Sequence, residues 1–277
     1  MREIGIMQGR LLPPVNGEIQ AFPGKRWREE FAIARECGLG LIEWIFEGDE
    51  WKSNPIISNP LEIRQETEKH GTGVVSLIAD FFMDFPLIRA SMIEQSERMV
   101  ILSDMIDNAN GVGIKFINIP FVDNSEIKTE DEAKQVADLI SQVVPKVESY
   151  DMQVGLETSL DPERFSQLLK LIDHPRVGVN YDIGNSASLE YDPQKEMEAY
   201  GRAIATLHVK DRVMGGGTVP LGDGNADFAT VFSCLGKMGY DGPVVLQAAR
   251  DGDEVAVAKR YVKFVQDYLE KYLPKKG

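Results

Sequence analysis

The sequence predicts one (β/α)₈ barrel spanning residues 1–277. Three observations predict it. Strand-like and helix-like segments alternate eight times without a break in composition. The later strands separate into an apolar face and a face of small and polar residues. Chemistry-bearing residues recur where those strands end.

In order, the strands are read at Ile4–Gly9, Leu39–Phe46, Gly73–Phe82, Gly113–Phe121, Met152–Thr158, Val177–Ile183, Thr206–Asp211 and Pro243–Ala249. Amphipathic stretches follow them at Arg26–Cys37, Pro60–His70, Pro86–Asn108, Glu130–Ser149, Pro162–Ile172, Pro193–Ile204, Phe228–Met238 and Glu254–Leu273. Asn59-Pro60, Asp161-Pro162 and Asp192-Pro193 each offer a capping side chain before a proline at the first helical position. Thr129 and Glu132 have the spacing of a capping box, and Gly38 and Gly111 read as helix stops. Pro145 should kink its helix. An open dinucleotide-binding sheet is disfavoured, because Gly5-Ile-Met-Gln-Gly9-Arg lacks the phosphate-loop spacing.

Parity assigns the faces. Val154, Leu156, Val177, Val179, Tyr181, Leu207, Val209, Val244, Leu246 and Ala248 should look outward to the helices. Gly155, Glu157, Gly178, Asn180, Asp182, Thr206, His208, Lys210, Val245 and Gln247 should look inward, small residues low and polar ones near the mouth.

Bulk properties narrow the function. A formal charge of −14 is wrong for nucleic acid, whose recognition needs basic surface. No run approaches the ~18–20 apolar residues of a membrane span. The opening Met1-Arg-Glu-Ile-Gly-Ile has no signal-peptide core, so a cytoplasmic location is expected. Cys37 and Cys234 fall in helical patterns and read as two buried thiols rather than a disulfide. The oligomeric state stays open, a homo-oligomer being compatible with the chain.

Glu157, Asp182, His208 and Gln247 end four successive strands, 25, 26 and 39 residues apart. Two carboxylates, an imidazole and an amide oxygen make a mainly oxygen-donor set. It suits one divalent ion, Mn²⁺ before Mg²⁺, Co²⁺, Fe²⁺ or Zn²⁺. Each residue alone has a plain structural reading: a strand-end carboxylate capping a loop, a core histidine, a polar interior amide. Their joint appearance at matching depth favours the metal site. Arg10, Lys210, Arg212 and Arg250 lie at or just beyond strand ends in an otherwise acidic chain, with Gly215-Gly-Gly217 nearby. They are read as a rim for a phosphate or carboxylate, against the alternative of solvated loop decoration. Gln8, Glu43 and Asp80 have inward parity on the first three strands, and Trp51 and Phe85 are candidate sugar-stacking walls.

The segments Leu156-Glu157, Tyr181-Asp182-Ile-Gly, Leu207-His208-Val-Lys210-Asp211 and Leu221-Gly-Asp-Gly224-Asn-Ala-Asp-Phe228 resemble the xylose-isomerase-like barrels. That resemblance covers almost the whole chain. It implies a divalent-metal-dependent isomerase or epimerase of a small sugar, sugar phosphate or sugar acid. Two departures stand out: Gln247 where the family often has a proton-transferring glutamate, and Asn185 where it often has histidine. An amide transfers no proton near neutral pH. Glu157 is therefore expected as ligand and general base, with Glu43 completing the transfer; a hydride shift is also compatible. A dehydratase on the same scaffold and a non-catalytic sugar-binding barrel are the alternatives. A three-metal nuclease is disfavoured by the presence of only three histidines.

Overall fold

A computed structural model describes residues 2–273. Eight parallel strands close into a ring: β1 Ile4–Met7, β2 Leu41–Ile45, β3 Gly73–Ile78, β4 Phe116–Phe121, β5 Gln153–Thr158, β6 Val177–Asp182, β7 Ile204–Val209 and β8 Val244–Leu246. Each pairs with its sequence neighbours, and Ile4 opposite Val244 closes the seam between β1 and β8. The outer helices are α1 Glu29–Glu36, α2 Pro60–His70, α3 Met92–Val112, α4 Glu130–Ser149, α5 Pro162–Ile172, α6 Pro193–Tyr200, α7 Phe228–Met238 and α8 Glu254–Tyr272. No helix among the described residues is long and apolar enough to cross a membrane.

The strands are shorter than their apolar runs because the ladder stops where side chains must turn into the mouth. Phe81 and Phe82, read as the end of β3, start a single helical turn, Phe81–Asp84. β7 stops at Val209, and Asp211–Arg212 instead pairs with Thr218–Val219 in a small antiparallel hairpin. Helix α3 begins at Met92 rather than Pro86, because Ser91 and Glu94 form a capping box there. It runs through Gly111 and stops at Gly113, whose φ of 101° supplies the left-handed turn. Asn59 does not cap α2; its amide donates to Glu62 instead. Asp161, Asp192 and Thr129 do cap their helices. Helix α4 continues from Glu130 to Ser149 through Pro145. Both cysteines are free; Cys37 is buried and Cys234 only partly so.

Parity sorts the interior of the later strands as the sequence indicates, whereas on β1 Met7 takes the inward face expected for Gln8. Leu156, Val179, Tyr181, Leu207 and Leu246 join the core under the helices, whereas Val245 does not. Inside the ring, one half is apolar: Met7, Ile45 and Ile78 of β1–β3 pack together under Phe22. The other half is polar. Thr206 Oγ1 lies 2.9 Å from Asn118 Oδ1 and 2.7 Å from Asn180 Oδ1. Room for this amide layer comes from Gly155, where a Cβ would sit 2.3 Å from Asn118 Oδ1.

The long loop between β1 and α1 is fixed to the barrel. Gly9 has φ 84°, and a Cβ there would lie 2.2 Å from Ala21 O, so only glycine fits. Its N–H and that of Leu11 donate to the buried Glu30 carboxylate at 2.8 and 3.3 Å. Gly9→Ala should therefore cost about 1–3 kcal/mol of stability through strain and overpacking. Urea unfolding monitored by circular dichroism checks this; an unchanged midpoint would contradict the packing described for this loop.

Candidate metal centre and active site

Asp182 ends β6, and Glu157 and His208 lie one residue before the ends of β5 and β7. Because the strands are parallel neighbours in near register, their tips converge at the carboxyl end of the ring. One ligand atom from each of the three lies within 4.8 Å of the others, and all three residues are buried. Gln247 follows β8, with its backbone N–H on Val209 O. Its side-chain Nε2 donates to Gln20 Oε1 at 2.8 Å, while its buried Oε1 has no partner among the described residues. A buried orphan oxygen beside two carboxylates and an imidazole fits a divalent cation by the chemistry of the set.

The donors are pre-oriented from below. Glu43, fully buried on β2, lies 2.6 Å from His208 Nε2 through Oε2 and accepts from Asn118 Nδ2 at 2.7 Å through Oε1. With Nε2 as the donor side of the ring, Nδ1 lies 3.3 Å from Asn180 Nδ2 and 3.6 Å from Glu157 Oε2, and is the atom that would face a cation. Glu157 is held on both oxygens: Asn180 Nδ2 donates to Oε2 and Asn185 Nδ2 to Oε1, each at 2.7 Å. Asp182 Oδ1 accepts from Asn185 N at 2.9 Å, and Lys210 Nζ lies 3.2 Å from Oδ2.

The expected roles redistribute accordingly. Both Glu43 oxygens are engaged and the residue is sealed, so it positions His208 rather than reaching a substrate. Arg250 turns away from the mouth: its three nitrogens donate to Ile19 O, Leu12 O and Gly9 O, and it pairs with Glu254. It staples the β1–α1 loop. Gln8 Oε1 accepts the Ile45 N–H, extending the ladder past the end of β1, while its Nε2 has no partner among the described residues. Arg212 binds Gly216 O and Asn185 Oδ1, so it braces the amide that holds Glu157. The N–H groups of Gly215 and Gly216 are taken by Ser188 O and Val213 O, which leaves those two unavailable to an anion. Arg10 donates to Ala248 O and to Gln20 Oε1 at 3.1 Å, with its buried Nε unpartnered among the described residues. Arg10, Lys210 and Arg212 are thus the cations of the expected rim whose side chains reach groups at the mouth, Arg212 through Asn185. Trp51 and Phe85 pack against the outer core with Phe81. His70 and His174 pair with surface carboxylates away from the site.

Some participants have no signature in the chain. Asn118 shares the inward parity of its strand, which could have marked it. Gln20 and Phe22 sit in an irregular loop, where parity says nothing. Asp211 looks like a rim carboxylate but accepts N–H bonds from Gly222, Gly224 and Ala226, folding the loop after β7 around itself.

Burial dominates the electrostatics. It lowers His208, yet the adjacent Glu43 carboxylate together with Glu157 and Asp182 outweighs it and holds the imidazole up at about 9. Burial, reinforced by Asp182, raises Glu157. Burial also raises Glu30 to about 7, and raises Asp80 to about 6 against the bond from Gln20. In each case the folded chain binds the proton more tightly than the unfolded one. The His208 contribution is complete below its ordinary value and is lost as pH rises through about 9; the acids lose theirs between their ordinary values and about 6–7. With metal chelated, the melting temperature should therefore be lower at pH 9 than at pH 6. Added Mn²⁺ should stabilise more as pH rises, because its ligands must lose protons. Thermal melts in chelator and in Mn²⁺ check both signs; a chelated protein more stable at pH 9 would contradict them.

Comparison with known proteins adds family and fold. Residues 31–268 match the family described as xylose isomerase-like TIM barrel. An L-ribulose-5-phosphate 3-epimerase of Salmonella heidelberg is 26% identical over 256 residues, covering 87% of this chain and 90% of that protein. A solved L-ribulose 3-epimerase superposes with a TM-score of 0.79 at 18% identity, over 98% of this chain and 96% of that one. The IolI protein, solved with a bound zinc atom, gives 0.79 at 16% identity, over 99% of each chain.

Proposed function

This chain belongs to the xylose isomerase-like TIM-barrel family, and from that premise we propose that it is a divalent-metal-dependent epimerase of a small ketose or ketose phosphate. The observation that carries the reading is the buried convergence of Glu157, Asp182 and His208 beside the unpartnered Gln247 Oε1. The relatives named L-ribulose-5-phosphate 3-epimerase support the substrate class. The metal identity is the finer part of the proposal, with Mn²⁺ the first ion to supply.

Glu157, Asp182 and His208 Nδ1, with Gln247 Oε1, are the residues that would hold the cation. When bound, it supplies Lewis-acid stabilisation of negative charge on the ketose oxygens. The chain's own residues do the rest. Glu157, raised by burial, is suited to take a proton from the carbon next to the carbonyl at near-neutral pH. Asn180 and Asn185 fix the direction from which it reaches. Removing the C3 proton leaves the electron pair shared with the C2 carbonyl, and reprotonation on the other face gives the C3 epimer. Phe22, over Met7, Ile45 and Ile78, supplies an apolar wall on the opposite half of the mouth. Lys210 and Arg10 are the cations placed to meet an anionic group.

Wild-type protein with Mn²⁺ and L-ribulose 5-phosphate should generate the C3 epimer, followed by NMR. Glu157→Gln should lower kcat by about 10²–10⁴-fold. In D₂O the product should carry deuterium at C3, which a hydride shift would not give and a dehydratase would replace by net loss of water. Full activity in Glu157→Gln with metal still bound would remove Glu157 as the base.

A further inference from the structure

Epimerisation at one carbon needs a proton group on each face of the sugar, and Gln247 cannot be one of them. Glu43 is closed off by His208 and Asn118. From the remaining inward carboxylates we infer that Asp80 is the second proton-transfer group, an assignment that rests on the epimerase reading above.

Asp80 follows β3 at the carboxyl end of the ring and is 6% exposed. Its Oδ2 accepts one bond, from Gln20 Nε2 at 2.6 Å; Oδ1 accepts none among the described residues. Glu157 stands in the half of the ring made by β4–β7, and Asp80 in the half made by β8 and β1–β3. A sugar lying across the mouth therefore meets the two from different sides.

The bonds around Gln20 have a direction. Arg10 Nη2 and Gln247 Nε2 both donate to Gln20 Oε1, at 3.1 and 2.8 Å. With two donors on its oxygen, the amide must turn its NH₂ toward Asp80. Arg10 is itself fixed by Ala248 O at 2.6 Å. Gln20 thus ties Gln247 to Asp80 and orients the carboxyl while leaving Oδ1 free. A glutamate at 247 would be an acceptor facing an acceptor and would break this chain. The amide at 247 and the acid at 80 are in this sense one arrangement. The burial that raises Asp80 to about 6 also suits a group that must both give and take a proton near neutrality.

In the step itself, one carboxylate takes the C3 proton and the C–H electron pair passes into the C2–C3 bond as the carbonyl oxygen gains charge. The other carboxyl then gives its proton to C3 on the opposite face. No oxidant or co-reactant is required, and the returned proton comes from solvent.

The test is a pair of exchange measurements in D₂O with Mn²⁺ and each C3 epimer of the pentulose 5-phosphate. Wild type should exchange C3–H in both and interconvert them. Asp80→Asn should lose interconversion by about 10²-fold or more while still washing deuterium into the one epimer that Glu157 deprotonates. Asp80→Ala should regain interconversion with added formate, which repairs a missing acid and not a damaged fold. Interconversion by Asp80→Asn within about threefold of wild type would overturn the Asp80 assignment alone. So would loss of exchange from both epimers with Mn²⁺ still bound by calorimetry. A wild-type protein that exchanges neither epimer would overturn the epimerase reading and the assignment together.

Discussion

The hydrogen bond between Glu43 and His208 is the contact on which the site is built. Both side chains are fully buried and their atoms lie 2.6 Å apart inside the ring. Such a pair is expensive to desolvate, and removing one partner from a buried pair costs about 3–5 kcal/mol. It persists because the second oxygen of Glu43 and the side chains around it are tied into a chain of hydrogen bonds. Asn118 bonds Glu43, Thr206 stands between Asn118 and Asn180, and Asn180 bonds Glu157. This layer crosses from β2 to β7 and carries the orientation of one ligand to the next. A metal held above it would inherit its geometry from the barrel rather than from the loops.

What was legible in the chain is what strand parity and strand order determine. Glu157, Asp182 and His208 sit on consecutive inward positions, so their meeting follows from closure of a parallel ring. Parity gives a face and not a depth. Glu43 faces inward as expected, yet lies below the mouth at the level of Asn118, which turns an apparent acid–base group into a support for His208. Charge at a strand end is also ambiguous. Lys210 turns in to Asp182, whereas Arg250 turns to the carbonyls of the β1–α1 loop. Nothing in Ala-Ala-Arg250-Asp distinguishes these outcomes, because the partners are backbone atoms of residues over two hundred positions away.

The loops are organised by buried or half-buried charges that bind backbone. Glu30 gathers Gly9 and Leu11, Arg250 gathers Gly9, Leu12 and Ile19, and Asp211 gathers Gly222, Gly224 and Ala226. Away from the mouth, Glu196 draws together the hydroxyls of Tyr181, Ser186 and Tyr200, each at 2.7 Å, behind Asp182. A charge-assisted bond to backbone is stronger than a neutral one and fixes irregular chain that has no ladder of its own. In a protein of net charge −14, carboxylates are the plentiful group for that task. The few cations left near the mouth are correspondingly informative.

Charge arithmetic explains why an amide at position 247 changes more than one ligand. With His208 deprotonated to hold a cation, Glu157, Asp182, His208 and Gln247 would together carry two negative charges, which a divalent ion would balance. A glutamate at 247 would leave the filled site with one surplus negative charge in a poorly solvated mouth. That charge would push any neighbouring carboxyl further toward its protonated form. With Gln247 in place, Asp80 faces a balanced centre and the Arg10 guanidinium, and its proton affinity is set mainly by its own burial. The exchange of carboxylate for amide after β8 would thus keep an oxygen as the fourth donor beside two carboxylates and an imidazole, remove a competing acid, and leave the carboxyl after β3 in the range where proton transfer in either direction is cheap.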